Sequence, residues 1–220
     1  MGRVARSPGP RWTTSQLAAA LAVRFGITPT GTPDTAAASA GLGVSRRSVQ
    51  RWLHGASRAR AHIPGHRITQ ITCPDPQVLR QEDLNATYAR DAIDRLQLPR
   101  GKGVEDSWRT QRWLEPHLVA VLEVPIAQLG RVRVRQASIT RGADRAMKAL
   151  RRRGEIVDFT MVLTRFHATV LVHELLTQVR PWRLLPREGY VAVGRSTSWA
   201  SAAPVPDLGQ LASTLDLRDS

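Results

Sequence analysis

Cysteine occurs once in this 220-residue chain, at Cys73, which excludes an internal disulfide framework and fits a reducing compartment. Lysine is almost missing: Lys102 and Lys148 are the only two among 32 basic residues, so the cationic charge is carried by arginine. Acidic residues are sparse as well, 18 in all, and the chain carries a formal charge of +14. That balance excludes a cationic partner and asks for a polyanionic one. No apolar run reaches the ~18 to 20 residues that span a bilayer. Arg3, Arg6 and Arg11 at the start are not followed by an apolar signal core. The expectation is a cytoplasmic chain with no membrane partner. Also missing are a Walker sequence, an H-E-x-x-H pair, a G-x-S-x-G elbow and any cysteine pair. We therefore expect a binding protein, not an enzyme, with no catalytic residue, cofactor or metal.

What is present is unevenly distributed. Residues 1–60 hold nine arginines and one acid, and residues 121–180 hold eleven basic residues against five acids, while the two remaining stretches are neutral. Charge gathered in two blocks suggests two contact surfaces for a polyanion. If one contact neutralised about six phosphates, binding would weaken roughly a thousandfold between about 50 and 200 mM salt. A hydrophobic content of 42% fits a mostly folded chain with a real core. The arginine bias with abundant alanine is the composition of a high-GC genome and points to an actinobacterium or its phages and plasmids.

The stretch from Asp34 to Gly55, DTAAASAGLGVSRRSVQRWLHG, holds the most local information. Asp34 can open a helix, Ser39 is small enough for a close crossing, and Gly43 can take the left-handed turn conformation. Ser45 can cap the helix that follows. Val49, Trp52 and Leu53 form that helix's apolar stripe, which leaves Arg46, Arg47, Gln50 and Arg51 on the outer face. Arginine and glutamine are the residues that pair bidentately with guanine and adenine edges in the major groove. Ahead of this stretch, Thr13 or Thr14 caps a helix running to Phe25, with Leu17, Leu21 and Phe25 at helical spacing.

Residues 13 to 55 resemble the helix-turn-helix family, most closely the GVSRRSVQRWL type of bacterial repressors, MerR-like and transposase-like modules and terminal proteins of linear actinobacterial replicons. The resemblance implies that the first turn of the second motif helix touches bases, here Ser45, Arg46, Arg47, Gln50 and Arg51. Two features depart from the family: Ser39 stands where alanine is commoner, and the loop from Ile27 to Pro33 is long.

Residues 1–12 read as a basic arm. Arg58 and Arg60 belong to a basic linker or phosphate-contacting extension, followed by a short strand at Ile68 to Thr72. His62, His66 and Cys73 have a suggestive spacing, but a zinc finger needs two upstream cysteines that this chain lacks, so no metal is expected. A helix is predicted from Asp83 to Leu96 with Leu84, Tyr88, Ala92 and Leu96 on its buried stripe. Helical segments are predicted from Asp106 to Leu114 and from Pro116 to Leu122, with Trp108, Trp113, Leu118 and Val121 in the core. Ile126 to Arg135 fits either a half-exposed strand or a helix pair interrupted at Gly130.

Ala137 to Arg153 is read as a second basic helix, stopped by Gly154, with a strand after it. The segment resembles a winged-helix domain, in which the following hairpin would use residues around Thr160 to Leu163 and Thr169 to Val172. The resemblance implies that Thr140, Arg141, Arg145 and Lys148 face DNA and that Arg151, Arg152 and Arg153 lie at phosphates. The competing reading is a surface helix whose terminal arginines complement its own dipole. Phe166 to Trp182 could instead continue as one helix and serve oligomerisation. Tyr190 to Val193 reads as a last strand, 196–206 as a linker, and Leu208 to Leu215 as a short tail helix.

Taken together, the expected fold is mainly α with a small β component, an N-terminal helix-turn-helix domain and a C-terminal winged-helix-like α+β domain. The expected division is a basic arm at 1–12, the helix-turn-helix at 13–60, a linker and connecting helix at 61–103, the winged-helix-like unit at 104–195 and a tail at 196–220. The function this implies is sequence-specific double-stranded DNA binding by a nucleoid-associated transcriptional repressor, acting as monomer or homodimer. The alternative is a replication or packaging factor, a terminal protein or small terminase subunit that recognises DNA and recruits a catalytic partner. His167 and His173 with Asp158 and Glu174 could assemble a nuclease-like site, although a basic chain scatters such groups by chance; Tyr88 and Tyr190, the tyrosine hydroxyls a terminal protein could offer for priming, have nothing around them that marks either as activated.

Overall fold

The computed structural model describes residues 12–54, 71–72, 75–99, 103–142 and 144–217. The described chain is mainly helical with one four-stranded antiparallel sheet. Three helices come first: α1 (Thr14–Phe25), α2 (Thr35–Leu42) and α3 (Arg46–His54). A long helix α4 (Pro76–Leu96) and a short α5 (Asp106–Thr110) precede strand β1 (His117–Pro125). Then follow β2 (Arg133–Arg141), α6 (Asp144–Arg153), β3 (Glu155–Val162) and α7 (Arg165–Gln178), and finally β4 (Ser198–Ala200) and α8 (Leu208–Thr214).

The sheet order is β3-β1-β2-β4. β1 and β2 pair antiparallel from His117 opposite Arg141 to Pro125 opposite Arg133, and β3 pairs with the other edge of β1. β1 is therefore central, and its two faces meet different layers. Leu118, Ala120 and Leu122 pack under Ala146 and Leu150 of α6. Val119 and Val121 pack against Phe166, Leu171 and Leu175 of α7, in a core that α4 and α8 complete. Around Phe166, the rings of Tyr88, Trp108 and Trp113 stand edge-on, with centroids 4.7 to 6.1 Å from it. Each such contact contributes about 0.5 to 1.5 kcal/mol beyond burial.

Several expectations are corrected here. Residues 117–122 form a strand, not a helix, because a strand covered on both faces reads as a continuous apolar run without period-2 alternation. Thr140 and Arg141 lie on β2, paired with Leu118 and His117, and so are not on a basic helix. The winged-helix hairpin is not formed. β3 pairs with β1, and Thr169 to Val172 lie inside α7. α7 buries Phe166, Val170, Leu171 and Leu175 within its own chain, which removes this face as an oligomerisation element. On α4 the buried face is Ala86, Ala89 and Ala92, while Leu84 is 64% exposed. Small side chains there let α4 approach α7 closely. Tyr190 to Val193 form bends in place of a strand.

The segments expected to be a connecting helix and a tail both enter the core. Ala89 and Ala92 of α4, Trp199 of β4 and Leu208 and Ala212 of α8 are all buried in it. The N-terminal helices share a second core with the sheet side, in which Leu17, Leu21, Val49 and Trp52 meet Ile126, Val134, Leu184 and Ala200. Trp12 and Trp182 stack across this junction at 5.2 Å, and the Arg187 backbone N–H donates to the Val23 carbonyl at 2.8 Å.

Candidate nucleic-acid interface

α2 begins just after Asp34, which is itself extended and whose carboxylate accepts from the backbone N–H groups of Ala36 and Ala37, both at 3.0 Å. These bonds satisfy two of the four donors that a helix start leaves open. The long loop before it is folded back on itself. Ile27 bridges Pro33, Thr28 N–H donates to the Thr32 carbonyl at 2.8 Å, and Asp34 N–H reaches the Gly26 carbonyl at 3.0 Å. The extra residues thus bulge outward while α2 starts beside the end of α1. A Cβ at Gly41 would meet the Phe25 ring at 2.5 Å, so a larger residue there would push that ring aside.

Gly43 ends α2 at φ 61, ψ 36, the left-handed conformation that favours glycine. The Ser39 hydroxyl donates to the Val44 carbonyl, and Val44 N–H returns to the Ser39 carbonyl at 3.2 Å, which fixes the turn. Serine at this position is therefore a turn clamp, and no packing fault follows from it. The Ser45 hydroxyl accepts from the Ser48 backbone N–H at 3.1 Å and opens α3. Val49 and Trp52 are buried. The 3.6-residue period then leaves Ser45, Arg46, Arg47, Gln50 and Arg51 exposed. Arg46 Nε donates to the Thr35 hydroxyl at 3.0 Å, which turns that guanidinium toward the start of α2.

The second basic segment is divided by the fold. On α6, Arg145, Lys148, Arg151 and Arg152 are exposed. Arg153 instead turns inward, donating to the Ser138 hydroxyl at 3.1 Å and to the Gln136 side-chain oxygen at 3.2 Å, and burial disfavours its charged form. It ties α6 to β2, so the expected phosphate contact does not apply to it. Arg141 lies on the opposite end of β2 and pairs with Glu115 at 3.5 Å. Thr140 is half-buried. Arg58 and Arg60, the N-terminal arm at 1–11, and the His62, His66 and Cys73 set lie outside the described residues.

His173 and Glu174 lie 3.7 Å apart in one chain of polar contacts with Asp83 and Arg90, whereas His167 and Asp158 are held elsewhere. His167 Nδ1 pairs with the Thr164 hydroxyl at 2.7 Å inside the helix start, and burial lowers its pKa. His173 Nε2 meets Asp83 at 3.0 Å, Glu174 pairs with Arg90 at 2.6 Å, and Asp158 accepts from Leu208 N–H at 2.8 Å. Tyr88 accepts a bond from the Trp108 indole N–H at 2.9 Å. An open pocket of about 360 Å³ lies between α4 and α7, walled by Tyr88, Trp113, Phe166, Arg165 and His173. Sequence reasoning passed over it because its walls come from segments some eighty residues apart. Among the described residues there is no cluster of three or more candidate metal ligands, and no helix is long and apolar enough to cross a membrane.

Compared with protein-family models, curated proteins and solved structures, the chain matches none of them.

Proposed function

We propose that this chain is a sequence-specific double-stranded DNA-binding protein that reads the major groove with α3 and acts as a transcriptional repressor. The observation that carries the reading is the outer face of α3. Four polar or cationic side chains, Arg46, Arg47, Gln50 and Arg51, are exposed on a helix whose other face is anchored by Val49 and Trp52, with exposed Ser45 just ahead of them. α3 follows α2 through a three-residue turn clamped by Gly43 and Ser39, the arrangement in which a recognition helix is presented rigidly to base edges. Arg47 and Gln50 stand one turn apart and are suited to guanine and adenine respectively. The net charge of +14 supplies the attraction to phosphate.

Selection of bound duplexes from a random pool tests this directly. The expected result is enrichment of one short motif, with a footprint of about one helical turn per copy of α3. Recovery of unrelated sequences at moderate salt would defeat the reading.

A further inference from the structure

The open pocket between α4 and α7, about 360 Å³, lies at the small end of the roughly 300–1,000 Å³ range of small-molecule sites. Its apolar wall is aromatic. Tyr88 and Trp113 stand at 70° and 90° to Phe166, with centroids 6.1 and 5.8 Å from it, so ring faces and edges line one cavity. Arg165, the first residue of α7, is fixed beside them, because its backbone N–H donates to the Trp113 carbonyl at 2.7 Å. Burial disfavours its charged form, and among the described residues no carboxylate pairs with it.

The remaining charged walls are already engaged. Glu82 gives both carboxylate oxygens to Arg183, at 2.6 and 2.7 Å. His173 Nε2 is held by Asp83 at 3.0 Å, and its Nδ1 lies 3.7 Å from Glu174. Thr197 uses its backbone N–H on Gly194 and both its carbonyl and its hydroxyl on Ala137, and the Thr169 hydroxyl donates to the Arg165 carbonyl. What stays open besides the Ser196 hydroxyl is a set of donors. The Tyr88 oxygen accepts from the Trp108 indole and keeps its own proton to give, and Asn85, whose carbonyl oxygen accepts from Gln81, keeps its amide N–H groups.

We propose that this pocket binds a small aromatic carboxylate, its ring against Tyr88, Trp113 and Phe166 and its carboxylate on the Arg165 guanidinium. The unpaired cation and the open donors select an anion over the ammonium guests that aromatic cages otherwise take. Charge selects a carboxylate over a phosphate monoester, because one guanidinium neutralises one charge and Glu82 in the wall repels a second. A cavity of this size encloses one or two fused rings, not a strand of peptide or nucleic acid. The site uses none of the α3 surface and does not rest on the duplex reading.

The test is ligand-detected NMR titration of the full chain with benzoate, its neutral amide benzamide, the cation benzyltrimethylammonium, and cyclohexanecarboxylate, which keeps the charge and loses the flat ring. Benzoate should bind saturably, with NOEs to the ring protons of Tyr88 and Trp113, and the amide and the ammonium at least roughly tenfold more weakly. Cyclohexanecarboxylate should also bind more weakly than benzoate. Arg165→Gln should weaken benzoate roughly tenfold and leave benzamide unchanged, while Arg145→Gln, on the exposed side of α6, should change neither. If Arg165→Gln does not fold, the ligand series on the parent chain decides by itself. Benzamide or the ammonium binding as tightly as benzoate, an equal loss from Arg145→Gln, which would mark attraction to surface charge only, or no saturable benzoate binding at millimolar concentration each overturns the proposal.

Discussion

Arg46 Nε donates to the Thr35 hydroxyl at 3.0 Å, joining the first residue of α3 to the first residue of α2. The bond draws one guanidinium back over the turn and leaves Arg47 and Gln50 as the side chains projecting freely from the first turns of α3. Arg47→Ala should therefore cost roughly 1 to 3 kcal/mol on the selected duplex and relax preference at one base pair. Arg46→Ala should weaken selected and random duplexes alike. Equal losses from Arg47→Ala on both duplexes, measured by titration at one salt concentration, would make Arg47 a phosphate contact.

Arg153 should behave differently from its neighbours Arg151 and Arg152. Its bonds to Ser138 and Gln136 are structural, and Gln136 is itself buried. Arg153→Ala leaves those acceptors with fewer partners and should lower unfolding free energy by about 1 to 3 kcal/mol. The slope of log affinity against log salt for nucleic acid should stay as in the parent chain. Urea denaturation and a salt titration of the same variant check both halves.

Arg183 is 2% exposed and holds Glu82 bidentately at 2.6 and 2.7 Å, fastening α4 to the segment before β4. Removing one partner leaves a buried charge without compensation. Glu82→Ala should destabilise by about 3 to 5 kcal/mol, and the double change Glu82→Ala, Arg183→Met should recover part of that loss. Calorimetry in which the double variant is no more stable than the single one would show that the pair acts through packing alone.

Stability should fall with acid through two buried histidines. Burial is the main cause that lowers the pKa of both His167 and His117 below the ordinary 6.5, opposed at His117 by the bond to the Glu115 carbonyl. A lowered folded-state pKa means that the unfolded chain binds more protons once pH drops below about 6.5. The contribution is complete above that value and is lost as pH falls toward the folded-state pKa. Denaturation midpoints should therefore decline between pH 7.5 and 5.5, and His167→Gln should flatten the decline. A midpoint that rises over this interval would contradict the buried neutral imidazoles.

Local chemistry by itself determined the α2–α3 unit. Asp34, Gly43 and Ser45 act on backbone groups within three residues of themselves, and the Val49–Trp52 stripe obeys the helix period, so both the turn and the outward set of α3 could be read from the chain. Tertiary pairing alone decided the rest. Whether His117 to Pro125 is helix or strand depends on β2 and β3 arriving on either side of it. The same sheet moved Thr140 and Arg141 off the basic helix, turned Arg153 inward, and left Phe159 standing at an edge beside Arg151. Such outcomes come from contacts between residues far apart in sequence, and no short window of the chain contains them.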